Sequence, residues 1–261
     1  MKIVALVKYV PDATGDRQFA ADGTVDRAAT DGLLSELDEY AVEQALQLAE
    51  SADDDVEVVA LTLGPDDAAD AIKRALQMGA TSGVHINDEQ VHGSDSLATS
   101  AILAAAVRRL QPDLVMCGMA STDGSMGVLP AMLSERLAWP GLTFAHSVSV
   151  AGTEVTIVRD GDTARQTITA TMPAVVSVTD QSGEARYPSM KGILSAKKKS
   201  VEEWSLADLE LADAPVGLAQ AWTKVLDATP RPPKQAGRVI TDEGGSGAGA
   251  IVEFLAQGKY L

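Results

Sequence analysis

The sequence predicts an α/β fold built on a doubly wound, mostly parallel sheet. Short, nearly continuous apolar runs alternate with segments whose apolar residues recur at helical spacing, as expected of strands that helices cover on both faces. Hydrophobic residues make up 46% of the 261 residues, whereas aromatic residues make up only 4%. This composition favours a core of small aliphatic side chains and argues against long disordered stretches.

The alternation assigns the elements of the first half of the chain. Four apolar runs are predicted as buried strands, at residues 2–7, 56–63, 83–86 and 114–117. Helices are predicted to start at Ser35, Asp66 and Ser94, and a fourth helix follows residue 127. Ser35 is predicted to cap its helix with Asp38 at the capping-box position. The other acidic residues of this helix are predicted to face solvent: Glu39, Glu43 and Glu50.

Two connections before the first helix have signatures of their own. Pro11 predicts a loop at residues 8–12, because proline cannot continue a central strand. Asp22 and Gly23 predict the turn of a small hairpin at residues 17–26. Ligands of doubly wound sheets bind beyond the carboxyl ends of the strands. We therefore expect four loops to converge on one site, at residues 8–12, 35–38, 63–66 and 118–127.

After residue 140 the apolar pattern changes to a period of two. This alternation predicts strands at residues 148–150, 155–159 and 166–171, with a hairpin turn at 160–162 and a buried run at 173–178. We interpret them as an antiparallel extension of the sheet. Core signals weaken beyond residue 200, which predicts an α/β domain at 1–200 and an extended C-terminal arm at 201–261. The arm contains a stiff proline-rich segment at 229–235 and an amphipathic helix at 248–256, which we expect to pack on another subunit.

Charge and cysteine content exclude several classes of function. The formal net charge is −16, so the chain repels nucleic acid and anionic membranes, and neither is an expected partner. Cys117 is the single cysteine, which excludes an internal disulfide, and it is predicted to be a buried apolar residue. No signal sequence precedes the first strand and no apolar run is long enough to insert in a membrane, so we expect a cytoplasmic protein.

Residues 114–140 form the stretch around which the chain is organised. A strand, a loop with Gly118, Gly124 and Gly127, and an amphipathic helix follow one another there. This order is typical of phosphate binding, because free N–H groups and the positive end of the helix dipole meet at the helix start. The loop matches no dinucleotide or P-loop motif and contains no lysine. An ordinary strand-to-helix turn capped by Ser125 or Asp123 remains the alternative.

Residues 184–200 form a second distinctive stretch. Apolar Met190, Ile193 and Leu194 lie among Lys191 and three consecutive lysines in a chain of net charge −16. An apolar anchor with a positive rim is typical of a docking segment for an acidic protein partner. A solvated loop that carries unrelated lysines is the other interpretation.

These residues together resemble the β subunit of electron transfer flavoprotein over essentially the whole chain. The matching pieces are the opening VKYVPD, DEYAVEQA from Asp38, ALQMGA from Ala75, RDG from Arg159, MPAVV from Met172, RY at Arg186 and ILSAKKK from Ile193. The resemblance implies an adenine-nucleotide-binding, Rossmann-like fold in a heterodimer whose α subunit carries the redox-active FAD. It implies that this subunit holds AMP and has no catalytic residues of its own.

The resemblance also implies which residues contact each ligand. By matching position, the AMP contacts would be Leu6, Ser35, Glu36, Leu37, Asp38, Leu63, Gly118, Met119, Ala120, Ser121, Thr122, Asp123, Gly124, Ser125, Met126 and Gly127. A recognition loop at residues 184–196 would dock an acyl-CoA dehydrogenase, and electrons would pass on to a membrane quinone oxidoreductase. The implied docking residues are Arg186, Tyr187, Met190, Ile193, Leu194, Lys197, Lys198 and Lys199. Met190 occupies the position of the family's anchoring leucine.

Three other functions compete with this interpretation. A bifurcating member of the same family would bind a second FAD in place of AMP. A stand-alone ATP-binding regulatory protein of this fold would need a loop shaped for a triphosphate, and the loop has no lysine. A nucleotidyl-transferring enzyme would need an SGGxDS phosphate loop, which is absent. The scattered His85, His92 and His146 suggest neither a catalytic triad nor a metal site.

Overall fold

A computed structural model describes residues 1–15, 17–229, 232, 237, 239–242 and 244–260. The chain divides into two compact units, Met1–Leu226 and Asp227–Leu261. The strands are β1 (Lys2–Leu6), β2 (Tyr9–Pro11), β3 (Gly32–Leu34), β4 (Glu57–Leu63), β5 (Ser82–Ile86), β6 (Leu114–Gly118), β7 (Gly141–Ala145), β8 (Ser147–Ala151), β9 (Glu154–Asp160), β10 (Arg165–Thr171), β11 (Ala174–Val178) and β12 (Val201–Trp204). The helices are α1 (Glu36–Ser51), α2 (Ala69–Met78), α3 (Ser96–Leu110), α4 (Leu129–Leu137), α5 (Met190–Ala196) and α6 (Ser246–Gln257).

Seven strands form one sheet in the order β12-β5-β4-β1-β6-β11-β7. Every neighbouring pair in this sheet is parallel. Side chains of β1 alternate between two apolar clusters: Ile3 and Ala5 pack with α1 and α2, whereas Val4 and Leu6 pack with α3 and α4. Helices therefore cover both faces, which confirms the predicted doubly wound, parallel sheet.

The antiparallel strands β8, β9 and β10 form a three-stranded sheet of their own. They are therefore not the continuation of the main sheet that their sequence pattern predicts. Each of the three pairs only within this group in the described part of the chain. The fourth run that was assigned to the extension, β11, instead lies inside the parallel sheet between β6 and β7.

Several local predictions need correction. Residues 9–11 are not a loop but strand β2, which pairs with β3 in a two-stranded ribbon. Pro11 ends this short strand outside the main sheet, where the missing N–H breaks no central ladder. Ser35 precedes α1 and its carbonyl accepts the N–H groups of Asp38 and Glu39, but its hydroxyl accepts none from the helix, so the predicted capping box is absent. Asp95, not Ser94, caps α3, because its carboxylate accepts from the N–H groups of Leu97 and Ala98.

Two other local predictions are confirmed. The hairpin at residues 17–26 has an antiparallel bridge between Phe19 and Val25, and Gly23 turns it with φ of 82°. In the second unit, α6 coincides with the predicted C-terminal helix. The predicted proline-rich segment at 229–235 lies, apart from Thr229 and Pro232, outside the described residues. Across the residues that the structure describes, every helix is too short or too polar to span a bilayer.

The start of the arm also differs from the prediction. The arm is predicted to begin at residue 201, whereas β12 joins the edge of the main sheet beside β5, and the first unit extends to Leu226. Three of the four residues of β12 (VEEW) are exposed, because a strand at the edge of a sheet has less surface to bury. The edge strand β7, which the sequence analysis did not identify, is likewise partly exposed.

Candidate functional site

A cavity of about 250 Å³ lies at the carboxyl ends of β1, β4 and β6. The loop after β6, residues 118–127, closes one side of it, and the start of α3 closes another. The lining includes Leu6, Asp38, Leu63, Gly118, Ala120, Ser121, Gly124, Met126 and Gly127 from the predicted nucleotide contacts. The structure thus brings much of the predicted set together at the edge of the sheet where ligands of such folds bind.

The other predicted contacts do not line this cavity: Ser35, Glu36, Leu37, Met119, Thr122, Asp123 and Ser125. Several of them shape the loop instead. The N–H of Thr122 donates to the Ser35 hydroxyl at 3.4 Å, and the N–H of Met119 donates to the carbonyl of Val178 at 2.9 Å. Ser125 has a left-handed backbone, with φ of 54°, and donates its N–H to the carbonyl of Ser121.

Asp38 joins three chain segments beneath the loop. Its carboxylate accepts the N–H of Lys8 at 2.9 Å and the N–H of Gly118 at 3.2 Å. Burial raises the pKa of this carboxyl to about 7, although both hydrogen bonds oppose the rise. Gly118 packs so closely that a Cβ there would lie 2.7 Å from the carboxylate and 2.8 Å from the backbone of Leu37. The ends of β1 and β6 and the first turn of α1 are therefore fixed to one another.

Asp123 anchors the loop through two cations from distant segments. Its carboxylate, with only 4% of the side chain exposed, lies 2.9 Å from Lys8 Nζ and 2.8 Å from Arg27 Nη2. Burial works against its ionisation, but the Lys8 charge and hydrogen bonds from Ser121, Lys8 and Arg27 outweigh burial and hold its pKa well below the ordinary value. The loop contains no lysine of its own, yet Lys8 lines the cavity from the end of β1. In the sequence, this role of Lys8 is indicated only by its position directly after a predicted strand.

The start of α3 is a part of the cavity that sequence reasoning missed. Ser94, Asp95, Ser96 and Thr99 line it. Asp95 caps the helix and also accepts the N–H of Trp222 at 2.9 Å. The sequence does contain an indication of it, because any helix that follows a parallel strand begins at this same edge of the sheet.

Other candidate reactive groups have structural roles. Cys117 is buried, as predicted, and burial raises the pKa of its thiol, which disfavours the nucleophilic thiolate. His85 Nε2 lies 2.9 Å from the Gly64 carbonyl, and the other two histidines each pair with an aspartate: His92 with Asp22 and His146 with Asp160. Within the described ranges, no group of three or more histidine, cysteine or acidic side chains could hold a metal ion.

The docking segment of residues 184–199 presents an exposed apolar tip. Met190 and Leu194 on α5 are 74% and 59% exposed, and Tyr187 before the helix is 88% exposed. The Ser189 hydroxyl caps α5 by accepting the Gly192 N–H at 3.0 Å. Lys197 and Lys198 are exposed beside this tip, and Ile193 is half-buried.

Two of the predicted docking residues point towards the body of the protein instead. Lys199 Nζ donates to the carbonyl of Leu76 at 3.0 Å. Arg186 binds both Glu43 and Glu50 on α1. The prediction that Glu43 faces solvent is wrong: its side chain is only 6% exposed, because Arg186 covers and neutralises it.

Comparison with known proteins agrees with this architecture. Residues 22–209 match the electron transfer flavoprotein domain family. A protein from Mycobacterium leprae named electron transfer flavoprotein subunit beta is 45% identical over 264 residues, which cover 99% of each chain. The chain belongs to the electron transfer flavoprotein β-subunit family. The resemblance drawn from the sequence motifs is thereby confirmed.

Other members of this family also align over nearly their full length. A protein of the same name from Mycobacterium bovis is 44% identical over 99% of both chains. The protein of that name from Megasphaera elsdenii is 30% identical over 93% of this chain and 92% of its own. These relatives are named as electron transfer flavoprotein subunits rather than as enzymes. The family places the chain in electron transfer.

Proposed function

We propose that this chain is the β subunit of a heterodimer, that it holds AMP in the cavity after β6, and that FAD is carried mainly by the α subunit. The observation that carries the proposal is the cavity itself, closed by residues 118–127 at the carboxyl edge of a parallel sheet. FAD supplies the redox chemistry of the complex when it is bound. This chain contributes binding, orientation and partner choice.

The residues around the cavity suit a mononucleotide. Leu6, Leu63 and Leu103 provide apolar surface for a base, and the glycines at 124 and 127 let the backbone come close to a ligand. Lys8, which shares Asp123 with Arg27, provides a positive charge at the cavity. The volume of about 250 Å³ lies below the roughly 300–1,000 Å³ that is common for sites of drug-sized ligands. A dinucleotide such as FAD is about twice the size of AMP and fits this volume less well.

The docking segment suits transient contact with an electron-donating partner. The tip of Met190 and Leu194 provides a small apolar anchor, and Lys197 and Lys198 provide a positive rim. Such a surface gives fast association that depends on salt and gives rapid release, both of which a shuttling electron carrier needs. We propose acyl-CoA dehydrogenases as the donors, a quinone oxidoreductase as the acceptor, and the cytoplasm as the location.

Nucleotide counting tests the first part of the proposal. The chain is co-expressed with its α subunit, and the bound nucleotides of the purified heterodimer are released by denaturation, separated and quantified. We expect one FAD and one AMP per heterodimer. Two FAD per heterodimer would establish the bifurcating alternative, and a heterodimer without AMP would contradict the proposed site.

Kinetics test the second part. Replacing Met190 with aspartate places a charge at the apolar anchor, and we expect reduction of the heterodimer by an acyl-CoA dehydrogenase to slow about tenfold or more. Ala164→Asp introduces the same charge in the exposed turn after β9 and serves as the matched control. FAD content should be unchanged in both variants. Equal rates for Met190→Asp and the unmodified heterodimer would remove the docking role.

A further inference from the structure

We infer that Arg186 is a positioning residue that fixes the start of the docking segment, ahead of helix α5, on helix α1, rather than a residue that contacts the docking partner. The inference rests on the proposed docking function of residues 184–199. It assigns to Arg186, Glu43 and Glu50 a role that sequence reasoning did not recognise.

The guanidinium of Arg186 is bound to carboxylates on one face of α1. Its Nε lies 2.7 Å from Glu43 Oε2, and its Nη2 lies 3.0 Å from Glu43 Oε1. Nη2 is also 2.9 Å from Glu50 Oε2, and Nη1 bonds Glu50 Oε1. The backbone N–H of Arg186 donates to Glu43 as well, at 3.1 Å. Two parallel pairs of bonds of this kind fix orientation as well as distance.

This network leaves little of the Arg186 charge for a partner. Two carboxylates neutralise the guanidinium and raise its pKa further above its ordinary value. Glu43 is held in turn by Gln47, whose side-chain amide donates to it at 2.8 Å. The positive rim of the docking segment must therefore come from the exposed lysines, Lys191, Lys197 and Lys198.

The same segment is fastened to α2 by separate contacts. A Cβ at Gly192 would lie 2.4 Å from the carbonyl oxygen of Gln77, so the backbone of α5 packs directly on the end of α2. The guanidinium of Arg74 lies 6.0 Å from the ring centre of Tyr187, within the range of a cation–π contact. The short helix α5 that follows Arg186 is therefore held against α2 on one side, and it exposes Met190 and Leu194 on the other.

A helix of seven residues is too short to be stable without such fastening. If α5 were loose, each encounter with the partner would have to order it, and this ordering would weaken the complex. Arg186 and Glu43 act by preparing the apolar tip before the encounter. Their removal should weaken docking without altering the long-range attraction that the lysines provide.

A variant with unchanged net charge tests the inference. In Arg186→Gln/Glu43→Gln, one positive and one negative charge are lost, so electrostatic steering at long range is retained. Turnover of an acyl-CoA dehydrogenase is measured with the heterodimer as electron acceptor over a range of ionic strength. We expect KM for the heterodimer to rise about tenfold, with kcat changed less than twofold and with the same dependence of log KM on ionic strength.

Three comparisons make the outcome decisive. Lys198→Gln should instead reduce the salt dependence of KM, because it removes a rim charge. The single variant Glu43→Gln keeps Arg186, which can still bind Glu50, so its KM should lie between those of the double variant and the unmodified heterodimer. Backbone amides of residues 190–196 should exchange with deuterium faster in the double variant than in the unmodified heterodimer.

Two results would overturn the inference. An unchanged KM in the double variant would show that Arg186 does not prepare the tip. A loss of salt dependence equal to that of Lys198→Gln would show that Arg186 contacts the partner directly. Failure of the proposed docking function is distinguished by Met190→Asp: no effect of that substitution refutes docking itself, whereas an effect there with none in the double variant refutes only the positioning role.

Discussion

The two ends of helix α1 hold two functional segments in different ways. At its first turn, Asp38 accepts backbone N–H groups from the ends of β1 and β6 and so supports the nucleotide loop. Further along, Glu43 and Glu50 hold the side chain of Arg186 and so support the docking segment. The first anchor is fully buried and binds only backbone N–H groups, whereas the second combines a buried Glu43 with a largely exposed Glu50 and binds a guanidinium.

The difference appears in the charge state of the two anchors. Burial raises the pKa of Asp38 to about 7, because two N–H groups compensate only part of the lost hydration. Burial also acts to raise the pKa of Glu43, but the hydrogen bonds from Arg186 and Gln47 reverse the effect, and the pKa is lowered. The nucleotide loop is thus supported by a group that titrates near neutral pH, whereas the docking segment is supported by a pair that stays ionised.

The largest expected effect comes from a steric clash at the first anchor. In Gly118→Ala the added Cβ would meet backbone atoms of Leu37 and the Asp38 carboxylate, neither of which can move freely. We expect the free energy of unfolding of the heterodimer to fall by about 3 kcal/mol and AMP content to fall with it. Chemical denaturation and nucleotide extraction measure the two quantities. Gly161→Ala is the control, since its Cβ makes only an ordinary contact, 3.4 Å from the carbonyl of Ala164.

A smaller effect is expected from the titration of Asp38. Its pKa is about 7 in the fold against an ordinary 3.8, so the folded chain binds more protons between these values and loses stability as pH rises through them. Through this group alone, raising the pH from 5.5 to 7 lowers the free energy of unfolding by about 2 kcal/mol. Lys8 and Asp123 are the charged groups that face Asp38, and both remain in Asp38→Asn.

We therefore expect the free energy of unfolding to fall less between pH 5.5 and pH 7 in Asp38→Asn than in the unmodified heterodimer. The two falls should differ by that amount. Thermal unfolding at several pH values measures it. The exposed Asp162→Asn is the control, which should leave the dependence on pH unchanged. Parallel pH curves for Asp38→Asn and the unmodified protein would mean that Asp38 does not titrate near neutrality.

How far the sequence could predict this architecture depends on whether each feature has a local pattern. The buried strands β1, β4 and β6 and the loop after β6 leave apolar runs and glycines that can be recognised directly. The short edge strands β7 and β12 have few core positions and were missed. Strand order is not encoded in the alternation of strands and helices, so the place of β11 between β6 and β7 could not be predicted.

The anchors of the site were missed for a related reason. Lys8 and Asp123 are separated by 115 residues, and Arg186 and Glu43 by 143 residues. Ion pairs at such separations leave no periodic signal, because only the fold brings their members together. An acidic residue on a helix is most often solvated, and Glu43 departs from that expectation because a guanidinium from a distant loop covers it.

The smallest effect on stability is expected where the docking segment contacts α2. Gly192→Ala places a Cβ 2.4 Å from the carbonyl oxygen of Gln77, which resembles the clash at Gly118 in distance. Helix α5 lies at the surface and can move outward, so we expect the free energy of unfolding to fall by only about 1 kcal/mol. The displacement moves the apolar tip, so KM for the heterodimer in dehydrogenase turnover should rise severalfold while AMP and FAD contents stay constant. Equal losses of stability in Gly118→Ala and Gly192→Ala would show that the docking segment is held as rigidly as the nucleotide loop, and the contrast between these two segments would then fail.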